Sequence, residues 1–178
     1  FYADSGSKFI DTIDKLIDVF ERDDLSVMTF RQNLMNYVWA KRDAFILTDT
    51  DSVEYTHSGA RVGGWFLLKK NDFSRKFISE CYEYGKDYRI ITDSPNELGK
   101  PNYDGFIENR HDETIISLVS KKYKLFPYRN PSQWGYTGDV NFTNNKYGEE
   151  GLKEMEERFG KMSTWGTKYG CYFHGESL

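Results

Sequence analysis

The stretch Val62-Gly63-Gly64-Trp65-Phe66-Leu67-Leu68-Lys69-Lys70 decides the fold, because an apolar run of strand length leads straight into a helix. Two glycines open the run, and glycine in a strand marks a bulge or a place where something else approaches the backbone. Asp72 is placed to cap the helix that follows. The apolar face of that helix is Phe73, Phe77, Ile78, Cys81 and Tyr84, and Gly85 ends it. A strand feeding a helix is the repeating unit of α/β folds, and the same alternation extends in both directions.

Upstream, Phe9, Ile10, Ile13, Leu16, Ile17 and Phe20 recur at helical spacing opposite Asp11, Asp14, Asp18 and Glu21, which predicts an amphipathic helix over 9–20. Residues 26–30 predict a strand after the Asp23-Asp24 turn, and 33–42 a second helix. The compact run Phe45-Ile46-Leu47 predicts a buried strand that stops at Thr48. Downstream, 88–92 predicts a strand, and 93–104, with Pro95, Gly99 and Pro101, a long surface loop. A helix over 112–123 turns Ile115, Leu118 and Val119 inward and places Lys121 and Lys122 at its favourable C-terminal end. A strand over 125–128 follows. Residues 130–148, rich in Asn, Gly and aromatics, read as a substrate-side loop, 149–159 as a short helix and 169–174 as a final strand. The sum is a single α/β domain over 1–178.

That length is one ordinary domain, able to bury roughly 70% of its unfolded surface. A net charge of −4 lacks the basic footprint of a protein that grips nucleic-acid phosphates. No run is long and apolar enough to cross a membrane, and the first residues lack the basic and apolar regions of a secretory signal. A soluble, cytoplasmic protein is expected. Cys81 and Cys171 stand alone, which excludes a zinc knuckle or a C-x-x-C redox pair. Thirteen Tyr, thirteen Phe and four Trp raise the aromatic share to 17%, a supply of flat faces on which sugars or bases stack.

Two acidic motifs compete for a hard cation. In Tyr2-Ala3-Asp4-Ser5-Gly6 a carboxylate stands between small residues just before a helix, and Asp49-Thr50-Asp51 is a literal D-x-D at the end of an apolar run. A third cluster, Asn109-Arg110-His111-Asp112-Glu113-Thr114, gathers acid, base and guanidinium within one turn, where a carboxylate can serve as general base or simply cap a helix. His174 ends the final strand.

This ordered set resembles the GT-A class of glycosyltransferases, including small sugar transferases of large algal viruses and related bacterial polysaccharide enzymes. The resemblance is carried by Tyr2 to Gly6, by Trp39-Ala40-Lys41-Arg42-Asp43-Ala44-Phe45, by Gly63-Gly64-Trp65-Phe66-Leu67, and most specifically by Glu108-Asn109-Arg110-His111-Asp112-Glu113-Thr114-Ile115. It implies a GT-A-like mixed sheet flanked by helices. Some nucleotide-binding strands that precede the metal motif in that class are missing from 1–178. It implies transfer of a hexose from a nucleotide sugar, UDP-sugar favoured, to a hydroxyl of a glycan or glycoprotein acceptor.

In that frame Asp4 looks like the last Asp of the family's metal motif, with Tyr2 in place of the first. Asp4 and His174 would ligate Mn²⁺ or Mg²⁺. Asp112 would be the catalytic base of an inverting reaction, Arg110 and His111 would contact substrate, and Gly63, Gly64 and Trp65 would line or stack on the sugar. A non-catalytic carbohydrate-binding domain on the same scaffold is the alternative. A glycoside hydrolase using Asp4 and Asp112 as its carboxylate pair is a third reading.

Overall fold

The computed structural model describes residues 1–131 apart from 6, 8, 10 and 11. In chain order the elements are β1 (Tyr2–Ala3), α1 (Asp14–Arg22), β2 (Val27–Met35), α2 (Asn36–Trp39), α3 (Arg42–Leu47) and α4 (Val53–Thr56). Then come β3 (Gly59–Arg61), β4 (Trp65–Leu68), α5 (Asp72–Gly85), α6 (Tyr88–Ile91), α7 (His111–Lys122) and β5 (Pro127–Tyr128). The helix expected over 149–159, the strand over 169–174, Cys171 and most of the loop after 130 lie outside the described residues.

β2 is the spine of the sheet. β4 pairs antiparallel with its start through Val27↔Leu68 and Met28↔Leu67, and β3 with its far half through Arg31↔Arg61 and Met35↔Gly59. β1 adds to β4 through Tyr2↔Phe66 and Ala3↔Trp65, and β5 lies parallel to β2 through Thr29↔Pro127 and Phe30↔Tyr128. The sheet is therefore mixed and mostly antiparallel.

Strand residues alternate faces, and here the alternation sorts them into two cores. Val27 and Phe66 go to one face with Phe77, Cys81, Ile90, Ile115 and Val119 of α5, α6 and α7. Their neighbours Met28 and Leu67 go to the other, with Phe30, Val62 and the Leu16–Phe20 pair of α1. Helices on both faces of one sheet give the α/β class. Each fully buried side chain among these contributes about 1.5–3 kcal/mol relative to exposure. Cys81 is a buried free thiol whose pKa burial pushes up to about 12.

Several expected elements change type. The run Phe45-Ile46-Leu47 lies in helix α3, and 88–92 holds helix α6. Such runs are too short for periodicity to tell a buried strand from a buried helix. Residues 33–42 do not form one helix, because β2 continues to Met35 and only the turn of α2 follows. The first helix starts at Asp14, leaving Phe9 56% exposed. Asn71, one residue before Asp72, caps α5: its side chain accepts from Ser74 N at 3.0 Å, and Asn71 N donates back to Ser74 Oγ at 3.3 Å. Asp72 instead stands in the first turn, where a negative charge suits the helix dipole. Residues 93–110 carry no helix or strand, and α7 buries Ile115, Leu118 and Val119 as expected.

Candidate functional site

A cavity of about 650 Å³ opens where the end of β1, the Gly63-Gly64 bend, the segment 93–110 and the first turn of α7 converge. Each wall follows from local sequence. β1 is short and ends on Asp4, whose N–H donates to Gly64 O at 2.8 Å and so fixes it beside the bend. The ring of Tyr2 stacks on Phe66 of β4 at 4.7 Å, and its hydroxyl donates to Asp4 Oδ1 at 2.7 Å. That hydrogen bond, with burial and the charges of Asp4 and Asp112, raises the Tyr2 pKa.

Close approach requires glycine at 63 and makes 64 tight. A Cβ on Gly63 would sit 2.8 Å from both Cα and Cβ of Glu113, and one on Gly64 would sit 3.1 Å from Asp4 Oδ2. What approaches the backbone here is the first turn of α7 and the Asp4 carboxylate.

α7 is seated by buried Asn109, whose Nδ2 donates to Ile90 O at 2.7 Å, and by Thr114 Oγ1, which donates to Trp39 O at 3.1 Å. His111 enters the helix at φ 49°, in the left-handed region. That strain is held by the tertiary bonds around it, a pattern common at functional sites. Arg110 lies over the Trp39 ring at 4.5 Å and pairs with Glu108 at 2.9 Å. His111 Nε2 lies 3.0 Å from Asp93 Oδ1. Asp112 is exposed, and its Oδ1 accepts the Glu113 N–H at 3.0 Å.

The structure adds Glu113. With the Gln32 amide nitrogen turned toward it, Gln32 donates to both carboxylate oxygens at 3.3 Å, and Gly63 N donates to Oε2 at 3.5 Å. Burial pushes the Glu113 pKa up to about 7; the charges of Asp112 and Asp4 push the same way, while Arg110 and the Gly63 N–H oppose them. A carboxyl poised there can give or take a proton near neutrality. The sequence placed Glu113 in the right cluster but carried no sign of its burial under Gly63. Lys41, Asn96 and Asn102 also line the cavity, and only the long-range packing of 93–102 against α3 reveals them.

Six of the eight expected site residues, Asp4, Gly63, Gly64, Arg110, His111 and Asp112, share this cavity. Trp65 does not line it: its ring packs with the Leu16–Phe20 core on the α1 side. His174 lies outside the described residues. The Asp49-Thr50-Asp51 motif follows a helix and is removed from the cavity. Asp51 is tied up by Arg42 Nε at 2.8 Å, Tyr103 OH at 2.7 Å and Lys100 Nζ at 3.0 Å. Among the described residues no group of three or more His, Cys, Asp and Glu side chains is arranged to hold a metal ion. Asp4 is the expected metal ligand that lines the cavity, beside the carboxylates of Asp93, Glu108, Asp112 and Glu113; Mg²⁺ commonly takes one or two protein carboxylates and completes its shell with phosphate and water.

Fold and site together define an α/β protein with a glycine-walled acidic cavity. Among the described residues no helix is long and apolar enough to cross a membrane. Compared with known protein families, with curated proteins and with solved structures, the chain matches none.

Proposed function

We propose that this chain is a GT-A-type glycosyltransferase domain that moves a hexose from a nucleotide sugar, UDP-sugar favoured, to a glycan hydroxyl with inversion. One observation carries the reading: residues singled out in three segments far apart in sequence, around Asp4, Gly63 and Asp112, line one cavity. Asp112 is exposed to the cavity and accepts the proton of the attacking hydroxyl as the oxygen bonds to the anomeric carbon. The bond from that carbon to the diphosphate breaks, and the nucleoside diphosphate leaves. Asp4 would hold Mn²⁺ or Mg²⁺, which neutralises charge on the departing diphosphate when bound. Tyr2 fixes the orientation of Asp4 through Oδ1. Arg110 and His111, the two residues before Asp112, line the same cavity to contact donor or acceptor oxygens.

Thermal unfolding followed with UDP-sugars, with and without Mn²⁺, tests binding: a rise in midpoint that depends on the metal is expected. No shift with any nucleotide sugar under either condition would sink the reading. Release of free sugar from the bound donor is expected to fall at least about 100-fold in Asp112→Asn while the midpoint shift survives. Unchanged release would take Asp112 out of the role. The alternative, a carbohydrate-binding domain without turnover, draws on the Tyr2 hydroxyl that occupies one oxygen of Asp4. It predicts glycan binding indifferent to metal and to Asp4→Ala.

A further inference from the structure

Lys41 is the one lysine lining the cavity among the described residues, and it is only 2% exposed. Its Nζ donates to Ser94 O at 2.5 Å and to Ser94 Oγ at 3.1 Å, both neutral oxygens. An ammonium carries three donors, so one N–H is left over beside the cavity. Among the described residues Lys41 makes no ion pair: its charge acts on Asp87 only through space, Asp87 itself being held by Arg89 through two side-chain hydrogen bonds, and Asp93 is held by His111. A buried cation without an anion in contact is costly to desolvate, and an anion entering the cavity would lower that cost.

Asn102 stands on the same wall. Its Oδ1 accepts from Arg42 N at 2.7 Å and from Asn96 Nδ2 at 2.8 Å, while its Nδ2 makes no hydrogen bond among the described residues. The wall thus presents one spare N–H of a charged group and a neutral amide donor that have no acceptor among the described residues. Phe106 and Ile107 add an apolar face to the same cavity, of the kind against which a sugar ring packs.

We propose that Lys41 and Asn102 form an oxyanion subsite, so that the sugar seated on this wall is an acidic one bearing a carboxylate or a phosphate ester. This rests on the carbohydrate reading of the cavity and names the substrate class. Lys41 and Asn102 belong to the packing of α3 on 93–102, whereas Asp4 is fixed on Gly64, so the subsite does not depend on Asp4.

The test is an NMR titration of the chain with glucose, glucuronate and glucose 6-phosphate, without nucleotide or metal. At least one of the two acids is expected to bind about 10-fold or more tighter than glucose. A larger gain for glucuronate identifies the anion as a carboxylate, and a larger gain for glucose 6-phosphate identifies a phosphate ester. Lys41→Met is expected to erase the gain. Because Lys41 also anchors Ser94, Asn102→Asp serves as the second variant: it keeps an oxygen acceptor for Arg42 N and Asn96 and turns the spare donor into an anion, so the gain is expected to vanish with the fold intact.

Equal binding of all three sugars, no binding of any, or a gain that survives in Asn102→Asp would each overturn the subsite. The probes hold neither nucleotide nor metal, so their failure is distinguishable from failure of the donor titration above.

Discussion

Two sets of carboxylates lie in this molecule, one tied and one open. Asp43 is fully buried and accepts from Glu97 N at 2.6 Å and Leu98 N at 3.2 Å, and Asp51 is shared by Arg42, Lys100 and Tyr103. Both fasten the 93–103 segment to the turns around α3. Asp4, Asp112 and Glu113 instead line the cavity with a tyrosine hydroxyl, backbone N–H groups and an amide as their partners. Asp51 of the literal D-x-D belongs to the tied set, and Asp4 of Tyr2-Ala3-Asp4 belongs to the open one. Partners, not spacing, separate a structural acid from one available to a ligand.

The largest effect expected from breaking that division lies with Glu113. Its folded pKa is about 7, above the ordinary 4.5, so the folded state holds its proton more tightly than the unfolded chain does. The stability it contributes is full below pH 4.5 and lost as pH rises to about 7, a decline of up to about 1.4 kcal/mol per unit. Urea denaturation at several pH values is expected to show this slope, and Glu113→Gln to flatten it. A slope unchanged in the variant would show that Glu113 is not its source.

Asp51→Asn comes next. Burial opposes the charged form of Asp51, but hydrogen bonds from Tyr103, Lys100 and Arg42 outweigh it and hold the pKa below the usual range. Its stabilisation is therefore present above the unfolded value of 3.8 and lost as pH falls through the folded one. Removing the charge strands a largely buried Arg42 and is expected to cost about 2 kcal/mol in the same denaturation assay. Nucleotide-sugar binding is expected to persist, since Asp51 does not line the cavity.

The smallest stability effect belongs to Asp4→Asn. Asp4 is exposed and bears no salt bridge among the described residues, so its loss is expected to change unfolding by less than about 0.5 kcal/mol. The same variant is expected to lose the metal-dependent midpoint shift. A large stability loss there would place Asp4 in the tied set and erase the contrast.

Much of the scaffold was legible because its signals are local. The helical spacing of Leu16 and Phe20, of Phe77 and Cys81, and of Ile115 and Val119 marks three helices whose apolar faces meet the sheet. The glycines at 63 and 64 announced a close approach without naming the partner, which is Glu113 for one and Asp4 for the other. Trp65 misled because a strand residue next to a glycine can face either side; pairing of β4 with β1 and β2 turns it to the α1 core. Leu34 and Met35 misled because strand pairing with β3 overrides local preference.

By itself the sequence determined the α/β class, the three helices α1, α5 and α7 on the two faces of the sheet and the cluster from Asn109 to Glu113, because these rest on periodicity and composition within single segments. Tertiary structure alone decided which acids are free, which glycines touch which carboxylates, and that Lys41 lines a cavity without an ion pair among the described residues. Those facts depend on contacts between residues fifty or more positions apart, where desolvation and hydrogen bonding, not local propensity, set the charge and reach of each group.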